Sequence, residues 1–520
     1  MTKWTILGVV MFGSVAAHAA TFTVTSTADS GTGTLRDAIT QANAAGGTNT
    51  VTITATGTIT LASSLPTITT AMTITGPGAA QLAVTAPGLQ GPAFTTAADV
   101  TISAMTLTGG DSEFSEGGVV ASESGTLTVT DTTFTGNTGE IGGALGAQGP
   151  LIVTHCVFVG NGGYGVLYAV GDTSITDTIF DSNTGTAIVF PPAGRTLTID
   201  RSLFTNNTDA HGIAAIQVQG GTANISNTTF SGNIGLQGGD VWTYSDGVVI
   251  SLVNVTSVND GAPAILFDHS ATVTMHNSIF AGTGARCSGH AIDASSHDLL
   301  SDATCGLVDP TDQQNVADLK LGALADNGGP TMTMIPLAGS PAIDAGDGTL
   351  AVGTMDQRGL ARVAFAAIDI GAVEDQAPVV DGPSPSSVAL TVGQPLSIAV
   401  TATNPNSAAP LSYQWRKDGS AITGATDATY AVAAVATTDA GTYDVLVTNE
   451  GGTVTSDPQT VTVTSGSPDG GVDAGGGGGH GDDGGCGCSA GRRTVAANGG
   501  LYSFGLVGFV ALRFRRRRRR

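Results

Sequence analysis

The chain has 520 residues, enough for roughly two or three domains, and carries a formal charge of −23 with only 12% charged residues. Nine of its nineteen basic residues lie within the last thirty positions; apart from these and Lys3, nine basic residues face 42 acidic ones. Such a surface repels nucleic acid and anionic membrane, and no phosphate loop, zinc spacing, nucleophile elbow or cofactor signature occurs.

Residues 1–20 read as a secretory signal peptide: Lys3, an apolar run over residues 6–17, and the small-residue site Ala17-His18-Ala19. The run is too short to span a bilayer, so the expectation is export through the secretion machinery. Residues 21–50 follow as a strand and a helix. Leu35, Ala38, Ile39 and Ala42 share one helical face. A helix laid across the open end of a stack of strands covers both its core and its unpaired edge. This segment, SGTGTLRDAITQAN, is similar to the CSLREA opening of secreted β-helix proteins, with Thr32 or Gly33 in place of the cysteine and Asp37 in place of the glutamate.

Residues 51–305 carry a repeat. TLTVTDTTFTGN, PLIVTHCVFVGN, DTSITDTIFDSN, TLTIDRSLFTNN and TANISNTTFSGN place Phe134, Phe158, Phe180, Phe204 and Phe230 at steps of 24, 22, 24 and 26 residues. Weaker copies end at Asn259 and carry Phe280. A fixed period with strand-type alternation predicts a solenoid whose units bury their apolar faces only against one another. The expected core is the Phe column, and Asn137, Asn161, Asn183, Asn207, Asn233 and Asn259 are expected to form a file of amides about 4.8 Å apart. Glycine signals at Gly142-Gly143, Gly185 and Gly261 precede a further strand in each unit. The paired FxxN and GGA signatures resemble the repeats of polymorphic outer-membrane proteins, over about a third of the chain. The fold class is therefore all-β, a right-handed parallel β-helix.

One column invites a catalytic reading. Three residues before each Phe lie Asp131, His155, Asp177, Arg201 and Asn227, with Asn277 further on. Neighbours about 4.8 Å apart would let Asp177 meet His155 and Arg201, as a polysaccharide lyase or glycosidase requires. The same residue types also suit a tight corner in the left-handed conformation. No lysine occurs between Lys3 and Lys320, which equips a lyase poorly. Cys287 and Cys305 are expected to form a disulfide in an exported protein, and Cys156 a buried free thiol.

Residues 306–375 carry DNGGPT, GSPAIDAG, DQRG, Arg362 and DIGAVE in order. They closely resemble the choice-of-anchor Q module, which closes bacterial right-handed β-helices. Asp344, Asp356, Arg358, Arg362, Asp369 and Glu374 read either as an acid, base or cation cluster or as ties for irregular loops over the open end. After a proline-marked linker, residues 376–465 show alternating strands, Trp415 in LSYQWRKDG and the DAGTY motif ending at Tyr443. These resemble bacterial immunoglobulin-like domains, which implies a β-sandwich with Trp415 and Tyr443 in its core; Val400 and Val445 stand where the usual disulfide would be. Residues 466–485 are a glycine and aspartate linker too poor in apolar groups to fold. Residues 486–520 join Cys486 and Cys488 to an apolar run over residues 499–512 and an arginine block, closely resembling the MYXO-CTERM sorting tail. That resemblance implies transient membrane contact, a sorting protease, and attachment at the cell surface or outer membrane through one of the two cysteines.

The expected function is a surface-anchored structural or adhesive β-helix presenting a repetitive face to extracellular polysaccharide or a neighbouring cell, without catalysis, metal or cofactor. The rival is a cell-surface polysaccharide lyase or glycoside hydrolase.

Overall fold

In this computed structural model the described residues are 19–466, apart from 192–193, 259, 262, 268–269, 364–366, 407–409 and 450. Residues 1–18, within the segment read from sequence as a signal peptide, and the tail with Cys486 and Cys488 lie outside them. The fold is all-β. Three long parallel sheets of twelve, eleven and nine strands run side by side, and successive strands of each sheet come from successive coils of a right-handed β-helix.

The pleat explains the composition. In the twelve-stranded sheet Val51, Ile74, Ile102, Val129, Val153 and Ile175 point inward in register and are almost wholly buried. The residues between them point outward in two files. One holds Thr50, Thr73, Thr101 and Thr128; the other holds Thr52, Thr75, Ser103, Thr130, Thr154 and Thr176. β-branched hydroxyl residues hold this pleated, half-wet surface without adding charge.

Inside, Phe134, Phe158, Phe180, Phe204 and Phe230 stack ring on ring at centroid spacings of 4.5, 4.7, 4.8 and 5.0 Å. Beside them runs the amide ladder. Asn137 Nδ2 donates to Asn161 Oδ1 at 2.9 Å, Asn161 to Asn183 at 3.1 Å, Asn183 to Asn207 at 2.8 Å and Asn207 to Asn233 at 2.9 Å. Each Nδ2 also reaches a backbone carbonyl of the preceding coils, such as Phe134 O from Asn161. At the next rung Asn233 donates to Asp260 Oδ1; Asn259, expected there from the sequence, lies outside the described residues. Ser257 pairs with Phe230, so the aromatic file is interrupted in this coil.

The helix Leu35–Ala45 covers the first coils, burying Leu35, Ala38, Ile39 and Ala42 in the solenoid core. Thr34 Oγ1 accepts from Asp37 N, and Arg36 Nη1 and Nη2 donate to the Ser64 and Ser63 carbonyls. The strand Thr21–Val24 extends the twelve-stranded sheet by pairing with Asn49–Ile53. At the other end Cys287 and Cys305 are joined by a disulfide with Cα atoms 4.8 Å apart. Cys156 is buried and free, and burial pushes its thiol up to about 12.

Residues 306–375 do more than close the end. They fold back along the corners of several coils: Gln357 Nε2 donates to Ser202 O, Thr229 Oγ1 donates to Gln357 Oε1, Arg362 Nη2 donates to Asn227 Oδ1, and Ala372 N donates to Thr256 Oγ1. Of the charged residues singled out in this segment, Asp356, Arg358, Arg362, Asp369 and Glu374 are buried ties, whereas Asp344 is exposed. Arg358 and Asp356 form an ion pair at 2.8 Å with neither side chain exposed.

Beyond it, a mixed six-stranded sheet and an antiparallel strand pair pack around Trp415, Tyr443, Val445 and Val400. The Tyr443 hydroxyl donates to Asp439 O at 2.8 Å, and Trp415 Nε1 donates to Asp427 O. The junction is tied rather than loose: Gln376 N donates to Asn406 Oδ1, and Asn406 and Asn449 both donate to the Gln376 carbonyl.

Candidate functional site

The column singled out by sequence lies at the corner between the twelve- and eleven-stranded sheets. Asp131, His155, Asp177, Arg201, Asn227 and Asn277 all have φ between 46 and 52°. Asn254, passed over in the sequence, occupies the same corner between Asn227 and Asn277, and Ala104 and His297 extend it. A position that accepts Ala, Asp, His, Arg and Asn alike at one backbone conformation is set by the turn.

The structure does bring three of these side chains together. Arg201 grips Asp177 with two bonds, Nε to Oδ1 at 2.9 Å and Nη2 to Oδ2 at 2.8 Å, and reaches Asp200 with Nη1. His155 Nε2 lies 3.5 Å from Asp177 Oδ2. Hydrogen bonding to Asp177 raises Arg201 above its ordinary value. Asp177 is thus a buried carboxylate both of whose oxygens are held by one guanidinium. Asp131 is exposed one coil before His155. The far end of the column is covered: Asn227 bonds Arg362 and Val352 O, and Asn277 bonds Asp347.

A different surface carries the concave site. On the nine-stranded sheet, a groove of 720 Å³ is lined by Tyr164, Gln217, Trp242, Tyr244, Asp209 and His211, among others. The strands Ile188–Phe190, Ile216–Val218 and Val241–Thr243 lie side by side here. Alternation sends Val189, Gln217 and Trp242 outward while Ile188, Ile216 and Val241 face the core. Gly163 and Gly185 stack so closely that a Cβ on Gly185 would lie 2.0 Å from the Gly163 carbonyl oxygen. Trp242 and Tyr244 meet edge to face with centroids 5.0 Å apart. Tyr164 Oη donates to Gln217 Oε1 at 3.2 Å and accepts from Gln219 Nε2 at 2.6 Å. The Asp209 carboxylate accepts from Thr186 Oγ1 and from the His211 amide.

The sequence reading missed this groove. Its aromatic residues sit at different places in their coils, Tyr164 before the third strand, Trp242 within it and Tyr244 after it, so no repeat marks them. The available signal was the outward position of the third strand of each coil, which reads Tyr168, Val189, Gln217, Trp242 and Leu266. Among the described residues no cluster of His, Cys, Asp and Glu is placed to hold a metal ion.

Residues 85–233 and 145–303 match the family described as "Right handed beta helix region". Over 64 residues the chain is 42% identical to the decoration protein of Escherichia phage T5, covering 12% of this chain and 38% of that protein. The chain therefore spans well under half the length of that curated relative. Among solved structures, Sidekick-1 immunoglobulin domains 1–5 are 22% identical with a TM-score of 0.16, covering 17% of this chain and 18% of that one. The N-terminal four Ig domains of Dscam1 isoform 4.44 are 22% identical with a TM-score of 0.14, covering 15% and 19%. Extracellular domains 3–5 of Drosophila OTK are 18% identical with a TM-score of 0.13, covering 17% and 34%.

Proposed function

We propose that this protein is an exported, surface-anchored display scaffold: the β-helix presents a long repetitive face for structure or adhesion, and it binds without catalysing. In this reading the tail with Cys486 and Cys488 is cut by a sorting protease and attached outside the cell, and the immunoglobulin-like sandwich is a spacer near the anchor. The observation that carries the reading is the state of the carboxylates. Glycoside cleavage needs two carboxyl groups, one acid and one base or nucleophile, facing a shared substrate space. The groove's lining holds one carboxylate, Asp209, already accepting two hydrogen bonds, and Asp177 in the corner column is clamped by Arg201. The outward threonine files support display, since they repeat one chemistry over consecutive coils.

The purified chain incubated with a panel of neutral and acidic polysaccharides tests this against the lyase or hydrolase alternative. Retention of polysaccharide with no new reducing or unsaturated ends is expected. Sustained release of such ends, abolished by Asp177→Asn, would overturn the reading in favour of the enzyme.

A further inference from the structure

We infer that the groove spanning Tyr164, Gln217, Trp242 and Tyr244 binds a neutral polysaccharide chain running along the axis of the stack. The inference rests on the display reading above and names what the displayed surface holds.

The first support is the exposure of the rings. Tyr164 is 49% and Tyr244 47% exposed, and the half-buried Trp242 meets Tyr244 edge to face. The stacked phenylalanines from Phe134 to Phe230 lie inside, so the exposed tyrosine rings at this surface suit a ligand. A pyranose ring is such a ligand: its axial C–H face packs on an aromatic plane, while its hydroxyl edge needs donors and acceptors at the rim.

Those rim groups are present and fixed in advance. Gln217 is 3% exposed, yet it lines the groove and its amide oxygen accepts from Tyr164 Oη. Gln219 donates to the same hydroxyl from two residues further along. Tyr164 sits on a loop two coils earlier, so both bonds reach across the stack. The ring is held in its pose before any ligand arrives, which lowers the entropy lost on binding.

Length and charge then narrow the class. Tyr164 and Trp242 belong to coils three steps apart, since strands Leu167–Ala169, Ile188–Phe190, Ile216–Val218 and Val241–Thr243 pair in that order. At about 4.8 Å per step the groove runs about 14 Å, and 720 Å³ lies within the range of small-ligand clefts. That shape suits a few consecutive sugar rings better than a single one. No lysine or arginine lines the groove, and Asp209 adds a negative charge to a protein already rich in them. A uronic-acid or sulfated chain would lose its hydration with no cation to replace it, whereas hydroxyls exchange water for amides, tyrosine hydroxyls and the Asp209 carboxylate at little cost.

Tryptophan fluorescence reads the site directly. Trp415 is fully buried in the sandwich, so among the described residues Trp242 alone reports from the groove. Titration of the full chain with xylan, mannan and β-glucan oligosaccharides, and with oligogalacturonate and alginate as acidic controls, is expected to give a saturable shift with at least one neutral series and none with the acidic ones. Calorimetric titration should show affinity falling about tenfold in Trp242→Ala and in Tyr244→Ala, the latter at an exposed position that leaves the core intact. Tyr164→Phe, which keeps the ring and loses the hydroxyl lock, should weaken binding severalfold, and Asn224→Ala, outward on another sheet, should leave it unchanged. Circular dichroism and melting temperature confirm that each variant is folded. No saturable binding to any neutral series, a preference for the acidic chains, binding unaffected by the folded Tyr244→Ala variant, or use of the groove by a protein partner alone would overturn the inference. Cleavage of a bound neutral chain would overturn the display reading instead and leave the ligand class standing.

Discussion

At the scale of single residues, the ladder shows how much one side chain sustains. Asn183 Oδ1 accepts from both the backbone and side-chain nitrogens of Asn161, and Asn183 Nδ2 donates to Phe158 O and Asn207 Oδ1. Asn183→Ala strands several buried partners at once, so chemical denaturation should register a loss of about 3 kcal/mol or more, against less than about 0.5 kcal/mol for Asn224→Ala on the surface. A second residue-scale test concerns the rung that breaks the pattern. Ser257 donates to Asp240 Oδ2 and Asp260 Oδ2 inside the stack, and Asn233 donates to both carboxylates. Burial raises Asp240 to about 7 against the pull of Ser257, Arg286 and Asn233, and burial and Asp240 together raise Asp260 well above the usual range. A raised carboxylate keeps in the folded state a proton that the unfolded chain gives up near pH 4. The contribution of Asp240 to stability is therefore complete below about pH 4 and is lost as pH rises through about 7. Between pH 5 and 8 the denaturation midpoint of the native chain should fall more steeply than that of Asp240→Asn; parallel profiles would contradict the assignment.

Elements were legible where the sequence repeats itself. Each coil rewrites the same few words, so the Phe file, the Asn file and the left-handed corner could be read from spacing, and the amphipathic face of the helix Leu35–Ala45 from its period. At the rung after Asn233 both markers change together, Phe to Ser257 and Asn to Asp260, and the Asn259 expected there lies outside the described residues. The course of residues 306–375 was not legible at all. Its ties join residues over a hundred positions apart, such as Gln357 with Thr229 and Arg362 with Asn227, and no local pattern encodes such pairs. The buried Arg358–Asp356 pair anchors this element, with Arg358 also donating to the Glu374 carbonyl. Arg358→Met leaves Asp356 buried without its cation and should cost about 3–5 kcal/mol. Limited proteolysis should then cut first within residues 326–375, whereas uniform loss of the whole chain would place the anchor elsewhere.

At the scale of the whole molecule, stacking separates two tasks. The interior of Phe, Asn and β-branched residues supplies rigidity coil by coil, and the outward positions are left free to vary. The corner column varies in residue type at one backbone conformation, with Asp177 held by Arg201 and Asn227 by Arg362. The third sheet varies into a groove with aromatic walls and a single engaged carboxylate. On the proposed function the molecule holds a ligand on the nine-stranded sheet and leaves it intact. Hydrogen–deuterium exchange on the protein saturated with a neutral oligosaccharide, followed by mass measurement of the recovered ligand, tests this most directly. Added protection in peptides covering residues 163–168, 208–219 and 241–244, with ligand recovered at its original length, is the predicted result; protection centred on Asp131, His155, Asp177 and Arg201, with shortened ligand, would contradict it.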